Sequence, residues 1–149
     1  MTHSKTNLLS VGDRYAFDVP MRWADADSQR HLNNAIYFRY FEEARMQMLY
    51  CDGKVFSEES GAVVVSTACD FLKPVIYPAQ LRIHHHIVRL GRSSMEAEVE
   101  LHVVADLQAG PYAKGRWVMV STDNKTGKSV PWSEARLEFM ARAISPYRM

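Results

Sequence analysis

Two aspartates, a histidine and two asparagines fall within ten positions of this chain: Asp25, Asp27, His31, Asn33 and Asn34. Residues of these types suit acyl transfer when they precede a helix. The first turn of a helix offers backbone N–H groups without intrahelical acceptors, together with the positive end of the helix dipole. Such groups polarise a carbonyl and hold the oxyanion that forms on it. A carboxylate on the preceding loop can take a proton from water or attack the carbonyl carbon itself. On this physics alone, an aspartate that serves only its loop and an asparagine that serves only as a helix cap fit equally well, so both readings stay open.

The elements that must position these residues are legible as patterns. Residues 14–22 alternate, with Tyr15, Phe17, Val19 and Met21 on one face, which predicts a half-buried strand. Residues 33–51 predict a helix, with Asn33 or Asn34 at its N-cap. Tyr37, Tyr40, Phe41, Ala44 and Met48 form its main stripe, and Phe38, Met46, Leu49 and Tyr50 spread apolar surface round the other sides. A helix so apolar must be largely enclosed. Arg39 and Glu43 are spaced to pair on its exposed strip, and Asp52-Gly53 is expected to end it, with Gly53 in the left-handed C′ position. Strands are predicted over residues 62–73, 80–90, 94–105 and 112–122. Within 94–105, Met95, Ala97, Val99, Leu101 and Val103 give a dry face, and Ser94, Glu96, Glu98, Glu100 and His102 a wet one. Ser133 caps a short helix running to about Arg142. One wrapped helix after the first of five antiparallel strands is an α+β architecture, and the 149 residues are expected to form one domain.

Composition excludes several function classes. Eighteen basic residues against seventeen acidic ones leave a formal charge of +1, so no general nucleic-acid surface is expected. No apolar run reaches the length of a membrane span. The segment from Met1 to Asn7 is polar and lacks the apolar stretch of a signal peptide. The expected location is therefore the cytoplasm, with no membrane partner. Two cysteines, Cys51 and Cys69, are too few for a disulfide framework and read as small core residues.

The segment from Asp25 to Arg45 resembles the signature of the 4-hydroxybenzoyl-CoA thioesterase-like branch of the hot-dog superfamily. That pattern runs Asp-x-Asp, three residues, His-x-Asn-Asn, then Tyr, then an aromatic helix carrying Glu-Ala-Arg. Asp25, Asp27, His31, Asn33, Asn34, Tyr37, Tyr40, Phe41, Glu43, Ala44 and Arg45 match at its spacing. Asp70 to Val75 and Leu90 to Ser94 resemble later family segments more loosely, so the resemblance covers about residues 14–122. One departure is Arg30, where many members carry glycine before the histidine. The resemblance implies a hot-dog fold, in which a curved antiparallel sheet wraps one long central helix, and hydrolysis of an acyl-CoA. It implies Asp27 as nucleophile or general base, His31 as support for loop or substrate, and amides near Asn33 and Asn34 facing the thioester oxygen. Tyr37 would line the acyl pocket, and Lys73, Arg92, Ser93 and Ser94 would meet coenzyme A. It also implies a homodimer or homotetramer, and it calls for no cofactor.

Other readings have weaker supports. A non-catalytic acyl-thioester binding module would keep the pocket without needing Asp27. An acyl dehydratase or hydratase of the same fold would need a catalytic histidine with a carboxylate partner, which the motif does not present. His84-His85-His86 suggests a metal, but His84 and His86 share one strand face while His85 opposes them. Two ligands fall short of the three that a catalytic zinc site usually takes, so no metal is expected.

Overall fold

The computed structural model describes residues 7–149. Residues 1–6 of the polar N-terminal segment lie outside the described residues. Among the described residues, seven strands and two α-helices follow in chain order: β1 (Arg14–Pro20), α1 (Tyr37–Met46), β2 (Tyr50–Cys51), β3 (Lys54–Val55), β4 (Ser60–Phe71), β5 (Gln80–Leu90), β6 (Ser94–Val103), β7 (Ala113–Asp123) and α2 (Glu134–Ile144). Five of the strands form one antiparallel sheet in the order β1-β5-β6-β7-β4. The architecture is α+β, as the patterns predict.

Alternation decides which face of the sheet is dry. Leu81, Ile83, His85 and Ile87 of β5 and Met95, Ala97, Val99 and Leu101 of β6 are all buried. Tyr37, Tyr40, Phe41 and Ala44 of α1 are buried with them in one core cluster with Trp117 of β7. Fully burying one such side chain stabilises by about 1.5–3 kcal/mol. The helix comes close to the sheet at Gly115. A Cβ at that position would stand 2.6 Å from the Ala68 carbonyl oxygen of the neighbouring strand and 3.1 Å from the Phe41 ring, so glycine is needed where strand and helix both crowd in.

The Glu-Ala-Arg end of the helix motif fastens α1 to its surroundings. Glu43 pairs with Arg22 at 3.4 Å. The Ala44 carbonyl accepts a 2.7 Å hydrogen bond from the buried Tyr15 hydroxyl. The Arg45 guanidinium lies over the Trp117 ring, 5.5 Å from its centroid. The expected Arg39–Glu43 pair is replaced: Glu43 turns to Arg22, and Glu42 meets Arg45 at 3.8 Å. The helix is also shorter than its apolar pattern suggests. It stops at Met46, and Asp52-Gly53 forms the two-residue loop of the β2–β3 hairpin instead of a helix C-terminus. Both loop residues have positive φ, 55° and 75°. Asp-Gly is well suited to such a turn. Gly53 does adopt the left-handed conformation, but in a hairpin turn.

The two edges of the sheet differ. At β1, Tyr15 bridges to Arg148, the Met149 N–H donates to the Arg14 carbonyl, and Phe17 packs edge-on against Tyr147 at 5.6 Å between centroids. At β4, Val63, Val64, Val65 and Phe71 are exposed, and the register shifts between Val64 and Ser66. α2 begins as expected, with Ser133 Oγ accepting from the Arg136 N–H at 3.0 Å. Among the described residues no helix is long and apolar enough to cross a membrane.

Candidate active site

Asp27 sits in a tight loop between β1 and α1. The Asp27 N–H donates to the His31 carbonyl at 2.8 Å, and Ala26 bridges to Leu32, so residues 26–32 fold back on themselves. Asp27 Oδ1 accepts from the N–H groups of Gln29 at 2.8 Å and His31 at 3.0 Å. Both bonds fall on Oδ1, and Oδ2 takes part in neither. The side chain is thus oriented by its own loop while the residue stays exposed. The loop in turn lies against the segment after β4: Leu32 N–H donates to the Val75 carbonyl and Tyr77 N–H to the Arg30 carbonyl, each at 2.8 Å.

The backbone at Arg30 accounts for the glycine that the resembled pattern has at this position. Its φ is +66°, a conformation glycine adopts at no steric cost and other residues seldom take. The arginine adopts this conformation here, and its guanidinium donates to the Tyr77 carbonyl at 2.6 Å. The side chain thus ties the loop to the segment after β4.

Asp25 and Asp27 are one residue apart on the alternation and have different surroundings. Asp25 Oδ2 accepts from the Tyr40 hydroxyl at 2.6 Å, and the Tyr40 oxygen accepts from the Arg22 N–H at 3.1 Å. Burial, then the bond to Asp25, pushes the Tyr40 phenol up to about 12. It stays protonated as a donor, and Asp25 is bound up in tying loop to helix.

Asn33 caps the helical segment: its Oδ1 accepts from the Ala35 N–H at 2.9 Å, and a 3-10 turn over Asn34–Ile36 leads into α1. The cap narrows the choice of oxyanion donor. The Asn33 N–H already donates to the Asp25 carbonyl at 3.0 Å, and the Ile36 N–H to the Asn33 carbonyl at 2.9 Å. The Asn34 N–H is the amide of this turn that none of these bonds employs.

One open groove of about 380 Å³ brings together Asp27, His31, Asn34, Tyr37 and Lys73, walled by Leu32, Phe71, Leu72 and Pro74. Tyr37 packs edge-on against Phe71, centroids 4.9 Å apart, and burial raises its phenol. Lys73 lines the groove, but its ammonium donates to the Ala109 carbonyl at 2.9 Å and sits over the Tyr112 ring. Asn33 contributes its cap at the margin. Arg92, Ser93 and Ser94 are placed elsewhere. Arg92 and Ser93 lie in the β5–β6 turn and Ser94 begins β6, whereas Asp27 lies beside the opposite end of β5, and the ten residues of β6 span about 30 Å. Within one chain these three do not join Asp27. The Arg92, Ser93 and Ser94 carbonyls accept from Trp132, Ser121 and Gly91 N–H groups, and Ser94 Oγ accepts from Arg89. Sequence separation gave no sign of which end of the hairpin they would occupy.

The structure also bears on the thiols. Cys51 and Cys69 are free and half-buried. Burial, then the neighbouring Asp70, pushes the Cys69 thiol up to about 11, which keeps it from acting as a nucleophile at neutral pH.

A helix enclosed by a five-stranded antiparallel sheet, entered through a carboxylate-bearing loop, defines the hot-dog class. The profile of the Thioesterase-like superfamily matches residues 21–143, and the chain belongs to that family. It is 32% identical over 123 residues to the "Uncharacterized protein YsmA" of Bacillus subtilis (strain 168), covering 80% of each chain. Among solved structures it is similar to "PA2801 protein, a putative Thioesterase" from Pseudomonas aeruginosa, with 35% identity, a TM-score of 0.73, and coverage of 81% of this chain and 93% of that one. It is also similar to "a putative acyl-CoA thioesterase" from Xanthomonas campestris, with 33% identity, a TM-score of 0.67, and coverage of 76% and 97%. A 1,4-dihydroxy-2-naphthoyl-CoA thioesterase from Synechocystis shares the fold, with a TM-score of 0.73 at 14% identity and coverage of 85% and 95%.

Proposed function

We propose that this protein hydrolyses an acyl-CoA thioester in the groove beside Asp27. The observation that carries the reading is the pairing of an exposed, loop-oriented carboxylate with the first turn of α1 in one groove. The acyl-CoA substrate rests on the resemblance of the motif and on the relatives named as thioesterases.

In this reading the Asn34 amide receives the thioester oxygen, where the helix dipole adds to the hydrogen bond. Asp27 Oδ2 takes a proton from water as the water oxygen adds to the carbonyl carbon. The tetrahedral intermediate then expels coenzyme A as the thiolate, which takes up the proton held by Asp27, and the free acid departs. Direct attack by the carboxylate would give an anhydride that water then opens, and the two routes place Asp27 identically. His31 holds the loop through its backbone, and its ring borders the substrate. Tyr37, Phe71 and Leu72 supply apolar surface for the acyl chain.

The reading includes a second copy of the chain. Phe71 and Leu72 are exposed on the β4 side of the groove, next to the bare edge with Val63, Val64 and Val65. A partner laid along β4 covers that edge and closes the acyl end of the groove. Arg92, Ser93 and Ser94, remote from Asp27 in one chain, meet coenzyme A in this arrangement only from the partner's side.

The test is thiol release from short, long and aromatic acyl-CoAs by the wild type and Asp27→Asn. The variant keeps the side chain's size and loses its basicity, so turnover is expected to fall about 10²–10⁴-fold with little change in melting temperature. Binding without hydrolysis by the wild type would replace this reading with that of a binding module.

A further inference from the structure

The outer face of the sheet carries a cluster that the groove does not use. Alternation turns His85 into the core and His84 to the opposite face. In the β5–β6 register His84 stands opposite Glu100, and His102, two residues along β6, shares the face with Glu100. One donor atom from each of His84, Glu100 and His102 lies within 4.8 Å of the other two. The His84 and His102 rings stack with centroids 4.2 Å apart, and His102 Nε2 is 2.9 Å from Glu100 Oε1. His102 is only 8% exposed. His84 Nε2 and His102 Nδ1 are buried without a hydrogen-bond partner. Leaving a buried polar atom unpaired costs about 1–3 kcal/mol, so this face carries donor capacity that the protein itself does not satisfy.

We propose that His84, Glu100 and His102 bind a divalent transition-metal ion of the zinc type. Two histidines and a carboxylate form a three-ligand set that zinc takes with water in the fourth position. Imidazole donors favour such an ion over magnesium or calcium. Two residues spaced i and i+2 on one strand, with a third opposite on its neighbour, set three donors at the corners of a triangle. A tetrahedral ion with bonds of about 2.0–2.2 Å holds its donors about 3.4 Å apart. The His102–Glu100 contact therefore opens by about half an ångström, and the stacked rings turn toward a common point. Neighbouring charge is already engaged: Arg82 is held by Asp18 at 2.7 Å, and His86 lies 3.9 Å from Glu98.

The ion ties β5 to β6 on the face opposite α1. Its expected effect is on stability, with turnover in the Asp27 groove unchanged. The test is titration of untagged, chelator-stripped protein with Zn²⁺, followed by calorimetry and thermal melting, with Co²⁺ absorption reporting the coordination geometry. The wild type is expected to bind one Zn²⁺ per chain and to melt higher with it. Glu100→Gln and His84→Gln are each expected to weaken binding by more than about 100-fold, beyond the cost of losing an outer contact. Glu100 is partly exposed, so Glu100→Gln should melt as the wild type does without zinc, which separates lost binding from lost folding. Absence of stoichiometric binding by the wild type overturns the proposal. So does binding that survives in both variants, which would put the ion elsewhere, as at Cys51 or Cys69.

Discussion

Along β1 the edge of the sheet is closed by residues 147–149 of the same chain, through the Tyr15–Arg148 bridge and the Phe17–Tyr147 contact. Along β4 the edge is longer, apolar and bare, with Val65 59% exposed. Pro20, which cannot donate to a ladder, stands at the end of β1, where an edge tolerates it. Among the described residues, β4 carries the irregularity at Val64–Ser66 and one charge near its end, Asp70. Unpaired edges of this kind are templates for another strand. The contrast separates an edge finished within the chain from one suited to a second copy.

The strongest way to break this comparison is Val65→Lys. The charge costs the isolated chain little, since substitutions at exposed positions usually stay within about 0.5 kcal/mol. It is expected to halve the mass seen by light scattering and to lower thioester turnover roughly 100-fold, the scale of a misplaced substrate. A wild type that is already monomeric and fully active would remove the second copy from the mechanism. Phe17→Ala probes the other edge. Losing a half-buried ring against Tyr147 should cost about 2 kcal/mol, some half of a fully buried Phe→Ala, with the oligomeric state unchanged. Chemical denaturation and light scattering on the same sample read both.

A smaller effect concerns β5, between the edges. His85 is buried, accepts from the Trp117 indole N–H at 3.0 Å and stacks on Tyr15. Burial, then Arg45, pushes its imidazole down to about 3, against about 6.5 when unfolded. Between these values the unfolded chain binds the extra proton, so stability is full above pH 6.5 and falls as pH drops toward 3. The slope from this group is at most about 1.4 kcal/mol per pH unit. Urea midpoints at pH 7 and pH 5 should differ less in His85→Gln than in the wild type. An equal difference would assign the acid sensitivity to other groups.

Much of this was legible from residue patterns, and the exceptions have physical causes. Strands β5, β6 and β7 stand within two residues of their predicted bounds because each has one predominantly apolar face. The loop around Asp27 was legible because its chemistry is local: every group that orients Asp27 lies within four residues of it. The helix was drawn too long because Met48 and Leu49 remain apolar after the helix ends, and burial rather than helix geometry accounts for them. The wet face of β6 was misread at His102, which is buried against His84. That contact depends on the β5–β6 register, which a single strand's alternation does not contain. The same applies to Arg92, Ser93 and Ser94, whose distance from Asp27 is a property of hairpin direction.

Gly115 sets two spacings at once. A Cβ there would meet the Ala68 carbonyl of the neighbouring strand and the Phe41 ring of α1, so the same missing methyl lets β4 lie beside β7 and lets Phe41 rest on the sheet. An added methyl would press on strand pairing and helix seating together, and one substitution would loosen the sheet and the helix it carries.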